Sequence, residues 1–195
     1  MIRQATLPLI FALSPTLSDE EAALERELRR AVARKEPIVI GSAADPYDPA
    51  VQGTARSLLE IFLRQDGLEI SIVTHSPRVE NDRELFVELD KRHAITLRMV
   101  VDIAEAADPA PRMRAARALA SEGITTVLLC CPASAGTDEG EAGLRPLLEE
   151  ARESGVFDVE IEAAALPRAE RPGVLATFRR LRLEYGFPLN VPGRG

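Results

Sequence analysis

The chain has 195 residues, of which 46% are hydrophobic and 28% charged, so it can bury one sizeable core and does not have the composition of a disordered protein. Its formal net charge of −7 argues against a nucleic-acid-binding surface, which would need clustered Lys and Arg. Membrane insertion is also unexpected, because no apolar run approaches the roughly 20 residues of a membrane helix. The two adjacent cysteines give no disulfide framework, and this predicts a cytoplasmic protein.

Six apolar runs rich in β-branched residues recur at intervals of about 30 residues, the length of one strand–helix unit. We predict strands at 7–13, 38–44, 69–74, 95–101, 124–131 and 157–163. The stretches between them have helical periodicity, as in Leu24, Leu28 and Ala31. This alternation predicts a parallel sheet with right-handed crossovers. Six units are too few for an eight-fold barrel of about 250 residues, so we expect one α/β domain over 1–195, a partial (β/α) barrel.

Capping residues and glycines mark the expected helix boundaries. Ser18 with Glu21 forms a capping-box pattern. Three dipeptides join a capping side chain to a proline and predict helix or turn starts: Asp48-Pro49, Ser76-Pro77 and Asp108-Pro109. Glycines that should end helices are Gly67, Gly123, Gly155 and Gly186. We expect His93 to lie at the surface of a helix-to-strand turn.

Polar side chains follow three of the predicted strands. Asp45, His75 and Asp102 come at the carboxyl ends, the edge where α/β proteins build their sites. Two carboxylates and an imidazole could bind a divalent metal or perform acid–base chemistry. The structural alternative is that Asp45 caps its turn, Asp102 begins a loop and His75 has no special role.

Other residues at this rim are weaker candidates. The loop 132–138 could bind an anion through backbone N–H groups, but it lacks the Gly-Lys-Ser/Thr of a phosphate loop. We expect Tyr47 to pack over the rim, where substrate stacking is the alternative. The resulting candidate cavity is lined by Asp45, Tyr47, His75, Ser76 and Ser134, with Asp102 nearby.

Cys130 and Cys131 are neighbours on one predicted strand, so they should point to opposite faces of the sheet. One metal ion can therefore hardly bind both. A vicinal disulfide would be strained, and two small hydrophobic side chains are the better interpretation.

Five segments in order resemble radical S-adenosylmethionine proteins of the spore photoproduct lyase-like group. Residues 41–49 resemble the third-strand motif of that group, a Gly-Thr-x-Thr-Asp-Pro-Tyr-Gln-Pro-like run, and 71–76 resemble the fourth strand, which usually ends in Thr-Lys-Ser. Further similar segments are 81–85, 108–124 and 132–138. The resemblance covers nearly the whole chain from residue 7 and implies a radical-SAM-like barrel whose first βα unit is missing.

The departures from that family concern its cofactors. Its members bind a [4Fe–4S] cluster through a C-x₃-C-x₂-C loop after the first strand, and this motif is missing here. The hydroxyl residue that contacts the amino group of S-adenosylmethionine is Ala44 in this chain, and the lysine that contacts its carboxylate is His75. A methyl group accepts no hydrogen bond, and a largely neutral imidazole binds a carboxylate poorly. We therefore expect no cofactor on this chain.

Three functions fit these observations. The first is a binding or accessory protein that keeps a rim cavity without radical chemistry. The second is a fragment or split form of a radical enzyme whose cluster loop lies upstream or on a partner. The third is a non-radical enzyme that binds Zn²⁺ or Mn²⁺ through Asp45, His75 and Asp102.

A missing first unit would leave the strand at 7–13 with an exposed edge, and such edges pair or aggregate. We expect that edge to be covered by the chain's own tail, 186–195, or to pair with another protomer or a partner chain. A small-molecule ligand is compatible with the rim cavity, whereas a nucleic acid or a membrane is not expected.

Overall fold

A computed structural model describes residues 21–41, 44–50, 52–102, 109–131, 138–162 and 166–187. Strands and helices alternate along this part of the chain, with one 3₁₀ helix at Pro77–Asp82. The strands are β1 (Ile38–Ile40), β2 (Glu69–Thr74), β3 (Ala94–Asp102), β4 (Thr125–Cys131) and β5 (Asp158–Ile161). The helices are α1 (Glu21–Arg34), α2 (Gln52–Phe62), α3 (Arg83–Asp90), α4 (Ala110–Ser121), α5 (Asp138–Glu153) and α6 (Arg171–Glu184).

The strands form one sheet in the order β1-β2-β3-β4-β5, and every described pair is parallel. Right-handed crossovers between successive neighbours place the connecting helices on one side of a sheet. The predicted α/β class and parallel sheet are confirmed, and the sequential order is compatible with a partial barrel. The strand predicted at 69–74 has the observed bounds. The strand predicted at 7–13 lies outside the described residues.

The two faces of the sheet differ in character. On the helix face, aligned positions such as Ile72, Leu97 and Thr126 are buried, and the helices pack over them with Leu28, Leu58, Phe62, Phe86, Leu89, Leu119 and Leu148. The opposite face, which we call the polar face, carries the half-buried residues Ser71, Thr96, Arg98, Thr125 and Glu160. Such alternation departs from the all-apolar strands expected of a sheet covered on both sides.

Strand β1 ends at Ile40, short of the predicted residue 44, because Gly41 has a φ of +93°. A Cβ at this position would lie 2.0 Å from the backbone oxygen of Val73 in β2. The chain therefore turns away from the sheet at a position that only glycine can occupy. The predicted start at Asp48-Pro49 is a turn and no helix begins there, since α2 starts at Gln52.

Replacing Gly41 by alanine should destabilise the protein by about 2–4 kcal/mol, because a positive φ and a backbone clash are combined. Gly67 provides the matched control. It has a φ of +76° with nothing within 4 Å of an added Cβ, so Gly67→Ala should cost only the conformational strain, about 1–2 kcal/mol. Urea denaturation measures both changes, and equal losses would contradict the close approach at Gly41.

His93 is buried, which corrects the prediction of a surface residue, although it does lie in the helix-to-strand turn. Its Nδ1 accepts a hydrogen bond from the N–H of Leu68 at 3.2 Å, and its Nε2 lies 3.1 Å from the backbone oxygen of Phe62. Because Nδ1 accepts, the proton of the neutral ring is on Nε2 and is donated to Phe62. The ring thus joins the turn after α3 to the α2–β2 connection, and burial lowers the pKa of His93.

The stability of the protein should fall as the pH drops below about 6.5, the ordinary pKa of histidine. In that range the imidazole of His93 binds a proton in the unfolded chain but stays neutral in the folded chain, so protonation favours unfolding. His93→Gln should flatten this pH dependence, because glutamine offers the same two kinds of hydrogen-bonding group without a titratable nitrogen. Thermal midpoints between pH 7.5 and pH 5 provide the measurement, and an unaltered slope in His93→Gln would refute the assignment.

Candidate functional site

Asp45 lies at the edge of the sheet where the strands end, and both of its carboxylate oxygens accept hydrogen bonds from the protein. Its Oδ1 accepts hydrogen bonds from the N–H of Tyr47 at 2.8 Å and from the hydroxyl of Thr74 at 2.7 Å. Its Oδ2 accepts a hydrogen bond from the N–H of His75 at 2.7 Å. The carboxylate therefore fastens the loop after β1 to the end of β2. This is the turn-capping role given above as the alternative to catalysis or metal binding.

Ser76 has the local role that its dipeptide predicts. Its side-chain oxygen accepts a hydrogen bond from the N–H of Arg78 and caps the 3₁₀ helix that begins at Pro77. The N–H of Ser76 is itself donated to the hydroxyl of Thr74 at 3.0 Å. The imidazole of His75 is exposed beside this network. The structure thus brings Asp45, His75 and Ser76 together at one rim.

Tyr47 is buried in the core, with about 1% of its surface exposed. Burial raises the pKa of Tyr47, and the neighbouring carboxylate of Asp82 raises it further. Neither the Tyr47 hydroxyl nor Oδ2 of Asp82 has a hydrogen-bond partner of good geometry among the described residues, while Oδ1 of Asp82 accepts from Arg56 of α2. Tyr47 therefore packs inside the rim loop, and in this position its ring cannot stack on a ligand.

The other predicted rim residues are placed only in part. Asp102 ends β3, where its backbone is aligned with Cys131 of β4. Ser134 lies outside the described residues. Within the described side chains, no group of three or more His, Cys, Asp or Glu residues has the arrangement of a metal site. The set Asp45, His75 and Asp102 stays a prediction.

The two cysteines are free, and their strand positions separate them as predicted. Cys130 belongs to the helix face and is fully buried, which raises the pKa of its thiol to about 12. Cys131 is half-buried on the opposite face, and its sulfur lies 3.5 Å from Oε2 of Glu162. A pair arranged in this way provides no joint ligand set for a cluster.

A charged group on the polar face was missed by sequence reasoning. Nε of Arg98 in β3 donates a hydrogen bond to the hydroxyl of Ser71 in β2 at 3.0 Å. Nη1 of the same guanidinium is paired with Oε2 of Glu160 in β5. An arginine inside an otherwise apolar run was the available signal, but finding its partners requires the strand register. One side chain therefore links β2, β3 and β5 across the sheet.

No protein-family model matches the chain, and no curated protein is significantly similar to it. The described helices include none that is long and apolar enough to cross a membrane. The resemblance in the five segments therefore stands on those residues alone.

Asp45→Asn should destabilise the protein by about 1–3 kcal/mol, because the amide that replaces one carboxylate oxygen leaves a backbone or hydroxyl donor unpaired. Asp48→Asn is the matched control in the same turn. Asp48 is exposed and accepts one bond, from the N–H of Ala50 at 2.9 Å, which an asparagine oxygen can also accept. We expect that change to stay within about 0.5 kcal/mol. Chemical denaturation compares the two, and equal effects would show that Asp45 does not fasten the loop.

Proposed function

We propose that this chain is a binding or accessory protein built on a radical-SAM-like partial barrel, and that it has no iron–sulfur cluster of its own. The proposal takes its fold relationship from the resemblance of the five segments. Its strongest structural support is the hydrogen bonding of Asp45. The carboxylate accepts three hydrogen bonds from the protein and holds the loop after β1 in place, so the Asp-Pro-Tyr segment has a structural role here.

The ligand set does not fit the cluster that the family resemblance implies. A [4Fe–4S] cluster needs several thiolates converging on one point, and the 195 residues contain two cysteines. These face opposite sides of β4, and the buried thiol has a raised pKa that opposes the thiolate form. The cysteines of this chain therefore support no radical step. What the scaffold offers is a sheet with a polar face and, at its rim, a described stretch after β1 that Asp45 fastens to the end of β2.

Anaerobic reconstitution with iron and sulfide tests this proposal on the full chain. We expect iron well below one cluster per chain and no change when Cys131 is replaced by serine, because no cluster depends on that thiol. Four iron atoms per chain with the absorption of a [4Fe–4S] centre would overturn the proposal. Near-ultraviolet circular dichroism before and after the treatment ensures that both proteins are folded.

A further inference from the structure

The guanidinium of Arg98 is held from two sides. Ser71 accepts from its Nε, and Glu160 accepts from its Nη1. Arg98 and Glu160 are nevertheless about one-third exposed, at 30% and 33% of their side-chain surfaces. The pair is thus fixed in position and still reachable by a solute.

Each partner also has hydrogen-bonding capacity left over. Within the described chain, Nη2 of Arg98 donates to no protein group, and Oε1 of Glu160 accepts from none. A guanidinium nitrogen of this kind offers two N–H donors, and a carboxylate oxygen offers two acceptor positions. The unused donor and the unused acceptor therefore belong to two side chains of the polar face that an ion pair joins.

Apolar side chains flank this pair toward the rim, whereas the row on its other side is polar, with Ser71, Thr96 and Thr125. Val73 and Val127 are aligned with Arg98 in the neighbouring strands, and Val100 and Leu129 form the next row toward the rim. Val100 and Val127 are buried, while Val73 and Leu129 are half-buried. Apolar contact surface beside a few fixed polar groups is the usual composition of a small-molecule site.

The charges of the pair decide which ligands it suits. Arg98 and Glu160 together are neutral, so an anion is repelled by the carboxylate and a cation by the guanidinium. A neutral group with a donor beside an acceptor would satisfy both unused positions and leave the ion pair intact. Such a group also loses less hydration than an ion when it enters a partly buried site.

We propose that Arg98 and Glu160 bind a neutral planar ligand through an amide-type edge, as in a primary carboxamide or a heterocyclic lactam. The ligand accepts from Nη2 of Arg98 and donates to Oε1 of Glu160, with its flat body against the half-buried side chain of Leu129, which is aligned with Glu160. This inference rests on the proposed binding function and names the class of ligand that it would take.

Three probes of one shape test the ligand class: benzamide, benzoate and benzamidine. Benzamide combines a donor and an acceptor, benzoate has acceptors only, and benzamidine has donors only. By ligand-observed and ¹⁵N-detected NMR on the full chain, benzamide should bind about tenfold more tightly than either charged probe. Shifts should centre on residues of β3, β4 and β5.

Two variants should change the preference in opposite directions. Glu160→Gln leaves the arginine charge uncompensated, so benzoate should gain affinity over benzamide. Arg98→Met keeps the apolar stem and leaves the glutamate, so benzamidine should gain instead. Arg145→Met is the matched control, because Arg145 belongs to an ion-pair network with Glu141 and Glu184 on the helices. It should bind all three probes as the unaltered chain does.

The outcomes separate this inference from the proposed function. A cluster-free protein that binds none of the three probes, or binds the charged ones as tightly as benzamide, would overturn the ligand class alone. Unchanged benzamide binding in folded Arg98→Met and Glu160→Gln would overturn the assigned residues. A reconstituted four-iron cluster would overturn the proposed function, whatever the probes do.

Discussion

The attachment of the loop after β1 to the end of β2 is the constraint on which the rim depends. Gly41 turns the chain out of the sheet, and Asp45 then accepts from Thr74 and from the N–H of His75. Thr74 in turn accepts from Ser76, whose side chain caps the next 3₁₀ helix. One carboxylate thus sets the position of two consecutive loops. Its removal would loosen the contact between these two loops, since Thr74 and His75 lie at the end of β2.

The sequence predicts the strands and the fold class well because burial on the helix face is a local property. Isoleucine and valine runs of four to eight residues have few alternatives to a parallel strand. The run at 38–44 shows where this reasoning fails. Its composition suits a strand, but the backbone oxygen of Val73 would collide with any side chain at position 41. That contact is formed between β1 and β2 and has no signature in either segment alone.

The polar residues were harder to interpret for the same reason. The sequence predicts Asp45 at the rim, yet the role of its carboxylate depends on three donors that lie up to 30 positions further along the chain. His93 lies in a helix-to-strand turn, a position for which the sequence predicts surface exposure, but two backbone groups, of Phe62 and Leu68, satisfy both ring nitrogens and allow its burial. Arg98 and Glu160 are 62 positions apart. Only the order and register of the strands bring them together.

Stability alone gives a weak reason for an ion pair in the middle of the polar face. A pair that is one-third exposed contributes about 1 kcal/mol or less, since water screens the attraction and two long side chains lose freedom. Apolar side chains at positions 98 and 160 would continue the apolar surface of Val73, Val127 and Leu129, and their burial would carry no desolvation cost for charged groups.

Apolar residues could not, however, present a hydrogen-bond donor and an acceptor at fixed positions. Ser71 restrains the guanidinium from the β2 side and Glu160 from the β5 side, so little side-chain freedom remains to be lost when a ligand binds. The arrangement therefore agrees with the recognition role that we propose, in which the neutrality of the pair limits the ligands that it accepts.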